Sequence, residues 1–368
     1  MLRAIDIAKS GFGFVEPNPM VGAVIASRDR VLIAEGFHQS FGEAHAEINA
    51  ICSAKDRTRG ADLFVSLEPC SHFGKTPPCA DAVIAAGFRR VVVGCLDPAP
   101  HVAGAGIQRI RDAGIQVDVG VCERQARRLI APFEKLMLNR VPWVHAKWAM
   151  TLDGRIASRT GHSKWISCEQ SRKWVHDLRG RVDAIITGSG TVRADNPQLT
   201  ARPAGPRRAL RVVIDSTGDS VNADGALLKS RLDSEILVCV SARCRKESRD
   251  RLLNLGVSVF QTESAAKVDV AAVMRELGLR KCTNVLLEAG PALLGAFFDE
   301  GLIDEIHAFV APKLIGGLGS LAPIGGAGFA TIPAQPNCES LSSTKIGDDL
   351  LIEADVSRKS TSADLQHG

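Results

Sequence analysis

One stretch and its downstream partner constrain this chain most: Gly42-Glu43-Ala44-His45-Ala46-Glu47, then Glu68-Pro69-Cys70, and finally Cys79. One imidazole and two thiolates form a ligand set for Zn²⁺. Three protein ligands leave a fourth position for water, which distinguishes catalytic zinc from structural zinc. A metal lowers the pKa of such a water toward neutrality. Glu47, two residues beyond the imidazole, is placed to take the water's proton and pass it to a leaving group. The competing arrangement is a structural zinc closed by His72 as a fourth ligand. That arrangement would leave Glu47 without a purpose.

Composition narrows the function classes around this site. At 368 residues the chain is longer than most single cores, so two domains are expected. A formal charge of +4, no Tyr and no basic run interleaved with aromatics argue against a nucleic-acid partner. The N-terminal segment reads as an amphipathic helix and not a signal peptide. No apolar run free of charge is long enough to span a bilayer. A soluble, cytoplasmic protein with no membrane association is expected. The ten cysteines are scattered and carry no export signal, so a reducing compartment fits better than a disulfide framework. Cys52, Cys95, Cys239 and Cys282 are expected to be small buried hydrophobes. Only Cys70 and Cys79 fall in a Pro-, Gly- and His-rich loop.

Periodicity places these motifs on an α/β framework. The first region reads as helix Leu2–Ser10 and a hairpin of Val21–Ala26 with Val31–Gly36. Helix His45–Ser53 follows, with His45 in its first turn, then strand Leu63–Leu67, helix Cys79–Ala86 and strand Arg90–Gly94. Helix Ala105–Ala113, strand Gln116–Val121 and helix Arg124–Lys135 continue the alternation. Strand–helix alternation predicts a sheet flanked by helices, with the site at the carboxyl ends of strands. A boundary falls where Pro142 ends a helical pattern. The expected domains are 1–141 and 142–356, with a polar tail at 357–368. The second region alternates from strand Trp143–Met150 to closing strands near Glu339–Ile346 and Asp349–Val356. It has no G-x-G-x-x-G after a strand, which speaks against a Rossmann unit. It does have Glu288-Ala289-Gly290-Pro291, where a strand ends and Pro stands in the first turn of a helix. Such a helix start offers free N–H groups to an anion.

The first-region motif matches H-x-E followed by P-C, the signature of zinc nucleobase deaminases, with the second Cys displaced to Cys79. Pro17-Asn18-Pro19-Met20-Val21-Gly22, Gly36-Phe37-His38, His45-Ala46-Glu47 and Glu68 through Cys79, with Thr76-Pro77-Pro78 before the last Cys, together resemble one branch of the cytidine-deaminase-like superfamily. That branch is the deaminase half of the bacterial bifunctional riboflavin-biosynthesis deaminase/reductases. Lys147–Gly154, Gly161–Ser167, Gly190–Thr200, Val213–Ser216 and Glu288–Pro291 resemble the reductase half, in order and spacing. A tRNA or free cytosine-nucleotide deaminase would instead call for a short C-x-x-C spacing.

The resemblance covers roughly residues 1–355 and carries definite expectations. The fold class would be α/β, a cytidine-deaminase-like domain followed by a dihydrofolate-reductase-like one. The first would use Zn²⁺ on His45, Cys70 and Cys79, with Glu47 as proton shuttle. It would remove ammonia from 2,5-diamino-6-ribosylamino-4(3H)-pyrimidinone 5′-phosphate. Asn18, His38, Lys75 and Asp97 would contact that substrate, Lys75 as a cation for its phosphate. The second would reduce the ribosyl group to ribityl with NADPH. Ala149, Trp165, Thr191, Asp195, Ser216 and the turn Gly290, Pro291, Ala292, Leu293, Leu294, Gly295 and Ala296 would lie on the cofactor side. Ser163, Arg179, Leu199, Arg202 and Glu288 would lie on the substrate side, the two arginines suiting a sugar phosphate. A homo-oligomer, dimer or tetramer, is also implied.

Overall fold

The structure is a computed structural model that describes residues 1–71, 77–99, 103–332 and 336–357. The chain forms two compact units, Met1–Arg140 and Val141–Gly368. The expected tail at 357–368 lies, beyond Ser357, outside the described residues.

The first unit runs α1 (Leu2–Ala8), β1 (Gly22–Ala26), β2 (Leu32–Phe37), α2 (Ala46–Ala54), β3 (Asp62–Leu67), α3 (Cys79–Ala85), β4 (Arg90–Cys95), α4 (Ala105–Asp112), β5 (Gln116–Val119) and α5 (Glu123–Asn139). Its sheet has the order β2-β1-β3-β4-β5. β1 pairs antiparallel with β2 and β3, while β3, β4 and β5 are parallel. Parallel strands carry helices on both faces and must be apolar throughout, as in Val91-Val92-Val93 of β4, all buried. α2 lies hard against β2: a Cβ on Gly36 would meet the backbone nitrogen of Ala50 at 2.4 Å. Only glycine permits that approach, and it brings the N-terminus of α2 to the sheet edge. The buried face of α2 is Ala46, Ala50 and Ala54, at helical spacing. Cys52 falls on the opposite face and is exposed, contrary to the sequence expectation. Cys95, Cys239 and Cys282 are buried as expected.

The second unit begins with β6 (Trp143–Thr151) and continues α6 (Glu169–Arg179), β7 (Ala184–Gly188), α7 (Ser189–Asp195), β8 (Leu210–Ile214), α8 (Ala226–Lys229), β9 (Ile236–Val240), α9 (Lys246–Asn254) and β10 (Ser258–Gln261). It closes with α10 (Val270–Leu279), β11 (Asn284–Leu287), α11 (Pro291–Asp299), β12 (Glu305–Ala311), β13 (Asn337–Ile346) and β14 (Asp349–Ser357). Nine strands stand in the order β10-β9-β8-β7-β11-β6-β12-β14-β13. The run from β10 to β12 is parallel, and β14 is antiparallel to β12 and β13. Helices α7 and α8 were not legible in the pattern: Ser-Gly at the start of α7 is poor helix sequence, and α8 is a single turn. The core gathers Val144, Ile186, Val212, Leu237, Val285, Leu294 and Phe297. Burying a side chain such as Phe297 contributes roughly 1.5–3 kcal/mol. Arg211 is fully buried in this unit and donates to the carbonyls of Gln198, Leu227, Ser230 and Ser234. Among the described residues, no helix is long and apolar enough to cross a membrane.

Candidate active sites

In the first unit, α2, β3 and α3 deliver the ligand set to one point. His45 is the N-cap residue of α2, with extended backbone, and so sits just before the first turn and not within it. β3 ends at Leu67, and Pro69-Cys70 follow its end. Cys79 opens α3, where the sequence placed the start of a helix, and is buried. The ligand atoms of His45, Cys70 and Cys79 lie within 4.8 Å of one another. His45 Nδ1 is 3.2 Å from Cys79 Sγ and 3.7 Å from Cys70 Sγ. The Cys79 N–H donates to Cys70 Sγ at 3.3 Å. Hydrogen bonds from the Cys79 thiol, and the nearby His45, pull the Cys70 thiol down to about 4. The same thiolate, with burial, pushes Cys79 up. A nitrogen and two sulfurs at these separations fit a tetrahedral zinc ion.

Glu47 is 3% exposed beside these ligands. Burial drives its carboxyl up to about 7, partly opposed by His45. His38 and Asn18 are brought to the same place. His38 Nδ1 donates to the Ala44 carbonyl at 3.1 Å, so its Nε2 is left to accept from Asn18 Nδ2 at 3.2 Å. Burial, with His45 close by, lowers the pKa of His38 and keeps it neutral. The His38 and His45 rings meet edge to face, 5.2 Å apart. Asp97 accepts from the Ala99 N–H at 2.8 Å. Lys75, and with it His72, lies outside the described residues.

Glu68 is a participant the sequence reading did not assign. Its buried carboxylate accepts from the backbone N–H groups of Asp97, Gly104, Gly106 and Ile107, at 2.9–3.4 Å. It fastens the loop after β4 and the first turn of α4 to the end of β3, beside Cys70. A Cβ on Gly106 would stand 1.9 Å from the Pro69 carbonyl oxygen, so the same contact demands glycine.

In the second unit, Glu288 follows β11 and meets two cations. Arg179, at the end of α6, clamps it with Nε to Oε1 at 2.6 Å and Nη2 to Oε2 at 2.9 Å. Lys147 on β6 reaches Oε2 at 3.5 Å. Burial alone would raise the Glu288 carboxyl, but Arg179 and Lys147 overrule it and hold it at about 2. Next to this pair stands His176, also unassigned from sequence. Its Nδ1 donates to the Thr200 carbonyl, which Arg179 also reaches, and its Nε2 accepts from Arg202. Burial and the two arginines lower the His176 pKa. The i, i+3 spacing of His176 and Arg179 on one helix was the available signal. Arg179, Arg202 and Glu288 therefore belong to one neighbourhood, and Leu199, one residue before Thr200, is 3% exposed with φ +57°.

The expected cofactor residues are more dispersed. Trp165 is 65% exposed, with the Arg172 guanidinium 4.7 Å over its ring. Asp195 ends α7 and pairs with Lys164 at 3.7 Å. Ser163, expected on the substrate side, is partly buried just before Lys164. The Ser216 carbonyl accepts from Ser241. Ala149 packs against Val175, Phe309 and Leu351. Gly290 caps α11, with Thr191 Oγ1 3.9 Å from where its Cβ would stand. Pro291 through Ala296 form the first turns of α11, the helix expected to start at Pro291. Leu294 is core, Gly295 abuts Gly325, and Leu293 faces Gly188. Ala292 and Ala296 lie on the same helix.

Comparisons with known proteins match this arrangement. A family model described as "Cytidine and deoxycytidylate deaminase zinc-binding region" matches residues 1–95. One described as "RibD C-terminal domain" matches residues 142–352. The riboflavin biosynthesis protein RibD of Synechocystis sp. is 41% identical over 351 residues, covering 95% of this chain and 94% of the relative. That of Bacillus amyloliquefaciens is 39% identical, covering 96% and 95%. The crystal structure of a diaminohydroxyphosphoribosylaminopyrimidine deaminase/5-amino-6-(5-phosphoribosylamino)uracil reductase from Thermotoga maritima superposes with a TM-score of 0.80 at 35% identity, over 97% of each chain. Acinetobacter baumannii RibD, form 1, gives 0.80 and 35%, over 97% of this chain and 98% of its own.

Proposed function

The chain belongs to the RibD family of bifunctional deaminase/reductases, and from that premise we propose how its own residues divide the two reactions. The deaminase occupies residues 1–141 and the reductase 142–356. The first substrate is 2,5-diamino-6-ribosylamino-4(3H)-pyrimidinone 5′-phosphate. The second reaction reduces the ribosyl group of the deaminated product to ribityl, with NADPH as donor. A homo-oligomer, dimer or tetramer, in the cytoplasm goes with this reading and is measured by light scattering.

In the deaminase, His45, Cys70 and Cys79 would hold the zinc ion. When bound, the ion lowers the pKa of a water molecule and so makes a nucleophile available near neutral pH. Everything else is done by side chains. The Glu47 carboxylate takes the proton from water and delivers it to the departing ring amino group, leaving ammonia. Its burial keeps that proton from exchanging with solvent. Asn18 and neutral His38 orient the pyrimidinone, with Asn18 directed by its bond to His38 Nε2. Lys75 and Asp97 bind the ribose phosphate side.

In the reductase, the cofactor supplies hydride and the chain supplies position and charge. Gly290 and the start of α11 receive a phosphate of the cofactor, using the free N–H groups of a helix N-terminus. Trp165, Thr191, Asp195, Ser216 and Ala149 line the rest of its path. Arg179 and Arg202 receive the substrate phosphate, while His176 stays neutral between them. Glu288, held ionised by Arg179 and Lys147, accepts hydrogen bonds from substrate hydroxyls.

The observation that carries this reading is the convergence of one nitrogen and two sulfurs on a point beside a buried glutamate. Purified protein with one or more equivalents of zinc should release ammonia from the diaminopyrimidinone phosphate and then oxidise NADPH. Ammonia release without NADPH oxidation would sink the reductase assignment, and NADPH oxidation of the deaminated substrate alone would sink the deaminase.

A further inference from the structure

A second convergence of ligand atoms stands in the reductase unit, among side chains that neither reaction uses. The parallel register of β6 and β12 pairs His145 with Glu305 and Lys147 with His307, and β14 sets Glu353 opposite His307. Paired residues on neighbouring strands point to the same face. His145, Glu305, His307 and Glu353 therefore gather on one face, where Trp174 of α6 packs 5.2 Å from the His307 ring. His145 and His307 are buried, at 6% and 4% exposed.

The distances inside this group are short and nearly equal. His145 Nδ1 is 3.3 Å from His307 Nε2 and 3.3 Å from Glu305 Oε2. His307 Nε2 is 3.5 Å from Glu305 Oε1. The outer ring nitrogens decide the tautomers. His145 Nε2 faces Asn284 Oδ1 at 3.1 Å, and His307 Nδ1 faces Glu353 Oε1 at 3.1 Å. Both partners accept, so both outer nitrogens carry the hydrogen. The inward nitrogens, His145 Nδ1 and His307 Nε2, then face one another and the Glu305 carboxylate. Ligands ~2.0–2.1 Å from a tetrahedral zinc stand ~3.3–3.4 Å apart, close to the separations seen here. Two imidazoles and a carboxylate suit a first-row transition ion better than calcium or magnesium. The surroundings are those of ligating histidines, whose second N–H is taken by a carboxylate or amide oxygen. Trp143 Nε1 adds a 3.1 Å hydrogen bond to Glu305 Oε2.

We propose that His145 Nδ1, His307 Nε2 and the Glu305 carboxylate hold a divalent transition-metal ion, with zinc as its reference, that ties β6 to β12. Glu353 and Asn284 are positioning residues that fix the two rings. The ion is structural: both ligating histidines are buried, and its binding energy is folding energy of the reductase unit.

The test is metal stoichiometry of the untagged full-length protein, by mass spectrometry after dialysis against zinc. Wild type should carry two equivalents per chain. The Cys70→Ser/Cys79→Ser double variant should retain one, and with cobalt it should lack thiolate-to-metal charge-transfer absorption. His307→Gln should also retain one, keep ammonia release, and lose the rise in reductase-unit melting temperature that zinc gives the double variant. No metal in the double variant overturns the proposal and leaves the two rings and the carboxylate to share a proton. Because the double variant decides the matter, a His307→Gln chain that fails to fold does not blunt it. Failure of the deaminase zinc would show separately, as a double variant with the same metal content as wild type.

Discussion

The deaminase and reductase sites are built in opposite ways. The first takes its ligands from two short segments, so that His45 and Cys79 stand 34 residues apart and bond across 3.2 Å. The second joins Arg179 to Glu288 across 109 positions and Lys147 to Glu288 across 141. A local site announces itself by residue spacing, because a helix start and a strand end fix where its ligands go. A remote site is assembled by strand order, and only the placement of β11 beside β6 and β7 reveals that three charges meet. The electrostatics differ accordingly. Glu47 is buried with no opposing full charge strong enough to hold it ionised, and rises to about 7. Glu288 is a little less enclosed but clamped by two cations, and falls to about 2. One carboxyl is poised to carry a proton; the other is locked as an anion.

Glu47→Gln is the sharpest way to break this contrast. General acid–base groups contribute roughly 10²–10⁴-fold, and ammonia release should fall by that much. Zinc content and NADPH oxidation of the deaminated substrate should stay at wild-type levels. Ammonia release within threefold of wild type would end the shuttle role.

Arg179→Ala should act on folding as well as on the phosphate. Removing one partner of a buried pair costs about 3–5 kcal/mol where the other charge is left alone. Lys147 still faces Glu288, so the loss should be at most of that order. Urea unfolding of the reductase unit reads this, with the deaminase unit's transition unchanged. The acid behaviour follows from the sign of the Glu288 shift. Its carboxyl is held below its ordinary value of 4.5, so its contribution is complete above that pH and is lost as pH falls toward about 2. Wild type should lose reductase-unit stability across that window. In Arg179→Ala the folded value rises back toward 4.5, so this acid-dependent loss should shrink. An identical acid profile in both proteins would show that Arg179 does not hold Glu288 ionised.

Glu68→Ala tests whether the local site is as self-contained as its spacing suggests. Four backbone N–H groups lose their acceptor, each loop contact being worth a fraction of the roughly 1–3 kcal/mol charged for an unsatisfied buried group. Deaminase-unit stability should drop by about that amount, and zinc should bind more weakly as Cys70 loses its neighbouring anchor. Unchanged zinc affinity with lowered stability would confine Glu68 to the loop.

What the sequence disclosed tracks this division between local and remote. His45, Glu47, Cys70 and Cys79 were legible because their chemistry lies in residue type and spacing. Glu68 was in plain view in Glu-Pro-Cys, yet its partners are backbone groups 29–39 positions downstream, which no side-chain pattern marks. His176 went unassigned because its two partners, the Thr200 carbonyl and Arg202, come from a loop. Cys52 read as buried because its neighbours are apolar, whereas helix phase turns it outward. The strand pattern of the reductase unit was readable, since parallel strands are continuously apolar. Nothing in it showed that His145 and His307 would be neighbours, since only the pairing of β6 with β12 does that.

Trp165→Ala is the smallest effect and the finest test of the cofactor side. The ring is 65% exposed and stacked under Arg172, so it adds little to the core. An exposed cation–π contact is worth about 0.5–1 kcal/mol. If the ring and Arg172 are set aside for a cofactor, their loss should weaken NADPH binding by roughly 2–5-fold, read as KM with kcat unchanged. Stability should move no more than ordinary surface substitutions do, within about 0.5 kcal/mol. Trp165→Phe keeps a π face and should recover part of the binding. A variant with normal KM for NADPH but a raised KM for substrate would move Trp165 to the substrate side of the site. The contrast between a tightly paired charge cluster and a loosely held cofactor edge would then have to be redrawn within the reductase unit itself.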